Sequence, residues 1–222
     1  MIKMTFVISL GGSILVPESG KIETKKVKEL LNFLKEKKEK SIIVVGGGTT
    51  ARVYINALKE LSKDKRDQIG ILATKLNATL VSDLGNFSLL HPSEITMKRT
   101  IMKLRRLKYA IVSGWKPGFS TDYVTAYIAN KLRESKVINL TRVGGIYTKD
   151  PTKYMDARLI LRMSWDEFME KYNDPWLPGK HIPFDPLAAM LCKKHKMKVY
   201  VTNIDGFIKW IKEDKFVGTV LY

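Results

Sequence analysis

Short apolar runs alternate with amphipathic segments along the whole chain. The runs cover Thr5–Leu10, Ser41–Val45, Tyr109–Ser113, Val137–Thr141, Lys198–Thr202 and Val217–Leu221. Their length and their β-branched content suit strands. Between them, Val27, Leu30, Leu31 and Leu34 recur at helical spacing within 24–38. Within 67–82, Ile69, Leu72, Ala73, Leu76 and Leu80 make one stripe. Shorter helices are expected to start at Thr50, Asp122, Ser164, Asp185 and Asp205, all residue types that cap helix N-termini. This alternation predicts an α/β fold, a mostly parallel sheet covered by helices on both faces. No internal repeat, low-complexity tract or flexible linker interrupts it. Ligands of such sheets gather beyond the carboxyl ends of the strands.

Glycine clusters fall at those ends. Gly11-Gly12-Ser13 follows the first run, and Gly46-Gly47-Gly48-Thr49-Thr50-Ala51 follows the second. Without Cβ atoms, backbone N–H groups can approach a phosphate closely. The second cluster matches G-x-G-x-x-A, and Asp67 lies about 20 positions on, as in a dinucleotide fingerprint. The context excludes that reading, because no apolar run precedes Asp67 in KELSKDKRDQIG. No Gly-Lys-Ser/Thr follows either, which excludes a Walker A loop. Arg52 sits in the first turn of the next helix, where a guanidinium suits a phosphate oxygen. A third loop, Gly114-Trp115-Lys116-Pro117-Gly118-Phe119-Ser120-Thr121-Asp122, mixes aromatic and hydroxyl groups that could receive a base or sugar. A fourth, Thr141 to Pro151, carries Tyr147, Lys149 and Asp150. Together the four loops predict a site for two phosphorylated ligands.

The 222 residues suit one compact two-lobed domain with ample core. The net charge of +17 raises nucleic acid as a partner. The lysines crowd onto outer helix faces, as in KKVKELLNFLKEKKEK, with no nucleic-acid motif beside them, so nucleic acid is not the expected partner. No run reaches the roughly 18–20 apolar residues of a membrane span, and MIKMTFVISLGG reads as strand and turn rather than signal peptide. The single Cys192 excludes an internal disulfide; the expected compartment is the cytoplasm. Cys192 reads as packing rather than nucleophile. His91, His181 and His195 lack metal-ligand spacing, and no metal site is expected.

On these residues the chain resembles the amino acid kinase superfamily, and within it the archaeal-type uridylate (UMP) kinases. The resemblance runs nearly end to end through ISLGGSILVPE, VVGGGTTARVYI, IGILATKLNA, GWKPGFSTDYVTAYIA, TRVGGIYTKDP, FDPLAA and Gly218-Thr219. A histidine soon after the triple glycine would mark the isopentenyl phosphate kinase branch, and Thr49–Val53 contains none. The resemblance implies a three-layer α/β/α sandwich whose residues 1–140 bind the acceptor and 141–222 bind ATP. It implies transfer of the ATP γ-phosphoryl group to UMP with Mg²⁺ carried by the nucleotide, in a homo-oligomer, typically a hexamer. By the same resemblance Gly47 meets the UMP phosphate, and Asp67 accepts from the UMP ribose. Trp115, Lys116, Pro117, Gly118, Phe119, Ser120 and Thr121 wrap the nucleotide. Gly12 and Ser13 bind ATP phosphates, Gly48 and Arg52 lie where donor meets acceptor, and Thr141, Tyr147 and Asp150 hold the ATP nucleoside.

Three positions depart from the pattern. Ser9 and Met190 stand where many relatives carry lysine, and Gly144 where many carry aspartate. Lys116 and Lys149 are candidate replacements for the lost charge. Two alternatives to a UMP kinase therefore stay open: a kinase of another small phosphorylated acceptor, and a nucleotide-binding regulator with impaired catalysis.

Overall fold

The structure is a computed structural model that describes residues 5–57, 60–172 and 182–222. The first apolar run forms β1 (Thr5–Leu10), followed by the single turn α1 (Gly12–Leu15). Then come α2 (Thr24–Lys37), β2 (Lys40–Val45), α3 (Gly48–Ala57) and α4 (Lys63–Gly85). The chain continues through β3 (Ser88–Leu90), α5 (Met97–Arg106), β4 (Tyr109–Val112), α6 (Thr121–Leu132) and β5 (Lys136–Leu140). A small hairpin pairs β6 (Ile146–Tyr147) with β7 (Leu159–Ile160). Next are β8 (Arg162–Met163), α7 (Trp165–Lys171), α8 (Pro186–Lys194), β9 (Lys198–Thr202), α9 (Ile204–Glu213) and β10 (Thr219–Leu221).

One sheet runs in the order β3-β4-β2-β1-β5-β9-β10-β8. Its pairs are parallel except β9 with β10. Residues alternate between its faces. Val7, Ile42 and Val44 join a core with α5, α6, α7 and α8. Phe6, Ile8, Ile43 and Val45 join a second core with α2, α4 and α9. Both faces are therefore covered, which explains why the strands read as continuous apolar runs rather than alternating ones. The result is the expected three-layer α/β/α sandwich. Among the described residues no helix is long and apolar enough to cross a membrane.

Several elements depart from the expected pattern. The helix after the triple glycine starts at Gly48, two residues before Thr50. Asp122 and Asp205 lie inside their helices, which Ser120 and Asn203 cap; Ser164 and Asp185 are caps as expected. The largest departure is in α4. Its buried face is Ala73, Thr74, Asn77, Ala78, Val81, Ser82 and Gly85. In the expected apolar stripe, Leu72 and Leu76 are 56% and 64% exposed. Of the rest of that stripe, Ala73 is buried and Leu80 packs against the second core, so the two exposed leucines are what the periodicity misplaces. Small residues face inward because α4 packs closely against the loop end of the sheet.

Candidate active site

Leu10 pairs with Val45 at the carboxyl ends of β1 and β2, so the two glycine loops leave the sheet side by side. They interlock through backbone alone. The Gly46 N–H donates to Leu10 O at 3.0 Å, and the Thr49 N–H donates to Val16 O at 3.1 Å. A Cβ on Gly12 would lie 2.0 Å from Gly48 N, and one on Gly48 would lie 2.4 Å from Gly12 O. Gly48 also sits at φ +61°, the left-handed region. Both loops open directly into helices, α1 and α3, whose first amides have no partner within the helix. That is a cradle for anions, with the positive ends of two helices beside it. Ser13 lies in the first turn of α1, while Arg52 is exposed and folds back so that its Nη2 donates to Thr49 Oγ1 at 3.0 Å. Gly12, Ser13, Gly47, Gly48 and Arg52 are thus one neighbourhood.

The acceptor-type loop stands beside it across α4. Gly118 N–H donates to Asp67 Oδ2 at 2.8 Å, joining two expected site residues 51 positions apart. Trp115 stacks on Phe119 with centroids 5.3 Å apart, and Phe119 stacks on Tyr123 at 4.2 Å. Lys116 Nζ lies 5.3 Å from both the Trp115 and the Phe119 ring centroids while pairing with Glu94 at 2.7 Å. The Trp115 indole N–H is buried without a hydrogen-bond partner among the described residues. Pro117 completes the turn, Ser120 caps α6, and Thr121 is its first residue. Lys149 pairs with Asp156 at 2.6 Å, so both candidate replacement lysines are already engaged with carboxylates.

Thr141 follows β5; its N–H donates to Thr202 O at 2.8 Å and its Oγ1 accepts from Gly144 N at 3.2 Å. Gly144 has φ +74°, and a Cβ there would lie 2.9 Å from Asn203 Nδ2, so a side chain at this position would be strained and would crowd Asn203. A cleft of about 630 Å³ brings Ser13 together with Thr141, Arg142, Asn203 and Ile204. The ion pair from Lys26 on α2 to Asp205 on α9, 2.5 Å, lies in its wall. Tyr147 and Asp150 are not among its described lining residues. Tyr147 donates to Val143 O at 3.2 Å, and Asp150 accepts from the Thr152 N–H and hydroxyl at 2.9 and 2.7 Å. Another cleft, about 450 Å³, lies at the opposite end of the strands. Its Lys40 and Arg105 donate to the carbonyls of Arg105 and Lys131 near the ends of α5 and α6, so its cations serve helix C-termini.

Asp122 was expected only as a cap. It is partly buried; its Oδ1 accepts from the Ser9 hydroxyl at 2.7 Å, and its Oδ2 faces the Asp185 N–H at 3.4 Å. Ser9, at the lysine position, thus fills its place with a neutral donor. Burial pushes the Asp122 carboxyl up to about 6; the charge of Asp185 also raises it, and the Ser9 hydroxyl lowers it. The native state holds this proton more tightly than the unfolded chain. Stability therefore falls as pH rises through about 4 to 6, and the cost is fully present above that, on the order of 2–3 kcal/mol. Asp122→Asn cannot titrate. Its unfolding free energy in urea, relative to the native protein, is expected to rise by about that amount between about pH 4 and pH 7. A difference that does not change with pH would count against the buried carboxylate. Thr74, Asn77 and Asn203 were also missed: Thr74 and Asn77 lie within IGILATKLNA, but the stretch gave neither of them a role, and no motif marks Asn203.

Cys192 is buried in the core beneath α8, its thiol pushed up to about 12 by burial, which suits packing and not nucleophilic attack. His91 bonds Ser113 Oγ at 3.0 Å, and burial, then Lys75, lowers its pKa. His195 ends α8, and His181 lies outside the described residues.

The model of the amino acid kinase family matches residues 4–203. The uridylate kinase of Methanococcus aeolicus is 34% identical over 204 residues, 89% of this chain and 90% of that protein. The uridylate kinase of Methanocaldococcus jannaschii is 34% identical over 208 residues, 90% of this chain and 91% of that protein. A crystal structure of uridylate kinase from Archaeoglobus fulgidus superposes with a TM-score of 0.80 at 30% identity, covering 99% of this chain and 100% of that one.

Proposed function

The chain belongs to the amino acid kinase family, and from that premise we propose that it moves the γ-phosphoryl group of ATP to UMP, giving UDP and ADP in pyrimidine nucleotide synthesis. The observation that carries this reading is the backbone interlock of the two glycine loops, with Asp67 tied to the acceptor-type loop next to it. Phosphoryl transfer asks a protein to align two anions that repel each other and to neutralise the charge that develops between them. Amides of a preformed cradle and one arginine do so without covalent chemistry. Residues 1–140 would take the acceptor and 141–222 the donor. Gly47 would hold the UMP phosphate, Asp67 its ribose, and Trp115 to Thr121 its uridine. Gly12, Ser13, Gly48 and Arg52 would meet the ATP phosphates. Thr141 would face the ATP nucleoside from the cleft it shares with Ser13, with Tyr147 and Asp150 on the neighbouring hairpin. Mg²⁺ would arrive on the ATP phosphates and neutralise part of their charge; a cradle of amides that no Cβ could enter suits phosphates that bring their own ion.

The test is a panel of nucleoside monophosphates and isopentenyl phosphate with Mg-ATP. UMP is expected to give the highest kcat/KM, and absence of UMP-dependent ADP release would sink the proposal.

We propose further that the protein is a homo-oligomer, a hexamer by family resemblance. Leu72 and Leu76 on α4, with Val53 and Tyr54 on α3, form an exposed apolar face of 56–64% exposure per residue. Such a face suits a second copy of the chain. Light scattering is expected to give a mass several times 25.3 kDa, and a monomer mass would refute this.

A further inference from the structure

Helix α4 carries three polar residues, Asp67, Thr74 and Asn77, at spacings i, i+7 and i+10 that share one face. Asp67 and Thr74 hold backbone of the acceptor-type loop, and Asn77 holds backbone of the glycine cradle. Asp67 Oδ2 accepts from the Gly118 N–H at 2.8 Å. Thr74 Oγ1 accepts from the Gly114 N–H at 2.8 Å and donates its own proton to Ile71 O at 2.7 Å. Asn77 Nδ2 donates to Gly46 O at 2.9 Å and to Gly47 O at 3.1 Å. Thr74 and Asn77 are buried.

The Asn77 bonds have a directional consequence. In a trans peptide, C=O and N–H point to opposite sides. The Gly46 carbonyl shares its peptide with the Gly47 N–H, and the Gly47 carbonyl shares its peptide with the Gly48 N–H. Holding both carbonyls on Asn77 fixes both N–H groups on the opposite side of their peptides; the Gly47 carbonyl also accepts from the Ala51 N–H at 3.2 Å, so it is chiefly the Gly46 peptide that Asn77 directs. A flip of either peptide would present a carbonyl oxygen to a phosphate instead. One terminal amide has two hydrogens, so a single asparagine can hold both carbonyls at once. Thr74 does the equivalent for the acceptor-type loop. Its proton is committed to Ile71, so its oxygen can only accept, and Gly114 is the donor it holds.

We propose that Asn77 and Thr74 are positioning residues for phosphoryl transfer, fixing amide direction in the glycine cradle and the distance from the cradle to the acceptor loop. This rests on the kinase reading above. Neither residue touches a reacting atom; both act through the backbone they hold.

Asn77→Asp keeps the shape but loses both donors when ionised, and its charge then faces two carbonyl oxygens. Burial and those carbonyls favour the protonated form, whose O–H restores one bond. At about pH 8 this variant is expected to lose on the order of a hundredfold in kcat/KM for UMP, with the gap to the native enzyme narrowing toward about pH 6. Asn77→Ala has nothing to titrate and is expected to keep a constant gap. Thr74→Val should raise the KM for UMP about tenfold with little change in the KM for ATP, and Thr74→Ser should restore it. The proposal is overturned if Asn77→Asp and Asn77→Ala share one pH profile, or if both stay within about threefold of native. Should the Asn77 variants not fold by circular dichroism, the Thr74 pair decides: equal KM values for valine and serine overturn it. Calorimetric affinities for UMP and ATP are measured on the same proteins. A native protein that binds both without turnover overturns the kinase reading alone, and the variants' affinities then decide the positioning role.

Discussion

Replacing Arg52 by alanine is expected to lower kcat by about two to three orders of magnitude and to leave the thermal midpoint close to that of the native protein. The side chain is exposed, and its hydrogen bond is local, to Thr49 one turn earlier in the same helix. Alanine is at least as good a helix former as arginine, so the fold loses little. The rate loses a guanidinium at the N-terminus of α3, where the family resemblance brings donor and acceptor phosphates together. Charge appearing on transferring oxygens is best met by fixed donors, and a guanidinium offers two from one plane. Arg52→Lys separates charge from geometry. Lysine restores the charge without the fork, so only part of the rate should return. Steady-state kinetics with UMP and Mg-ATP read both variants, and near-native kcat for Arg52→Ala would remove Arg52 from the site.

Much of this was legible in the chain. β1 and β9 have the spans their apolar runs predict, because strands covered on both faces need apolar residues at every position. The glycine loops were visible because close backbone packing admits no other residue, as Gly12 and Gly48 show. β3, β6, β7 and β8 were missed; each has only two or three residues, too few for a period to register. The inner face of α4 was misread for a different reason. Hydrophobic periodicity finds the side that avoids water, and in one chain that is normally the core. Here Thr74 and Asn77 point inward to hold loop backbone, while Leu72 and Leu76 are left outside. Asp122 was hidden by its neighbour: both Ser120 and Asp122 can cap a helix, and sequence alone does not say which one does. Its partner Ser9 is 113 residues away, a contact that exists only once β1 and α6 pack.

Gly48→Ala should be more damaging than the loss of Arg52. Two costs add. Alanine at φ +61° costs about 1–2 kcal/mol in backbone strain. Its Cβ would also lie 2.4 Å from Gly12 O, 2.8 Å from Gly12 C and 3.0 Å from Val16 O. These are backbone atoms, which cannot swing aside as the end of a side chain can. The loops must separate, which dismantles the cradle. The expected result is turnover below about a thousandth of the native rate and a fall in stability of roughly 3 kcal/mol, about 10 °C for a chain of this size. Gly20→Ala supplies the control. Gly20 has φ +73°, but nothing lies within 4 Å of its Cβ position. It bears the strain without the clash, so it should cost about 1 kcal/mol and leave the rate unchanged. Thermal melts and kinetics on the two variants separate the terms. If Gly48→Ala behaves like Gly20→Ala in both, the interlock of the two loops does not hold the site together. If only the melts agree, the loops absorb the methyl group without a further cost in stability, but the shift that absorbs it misaligns the cradle.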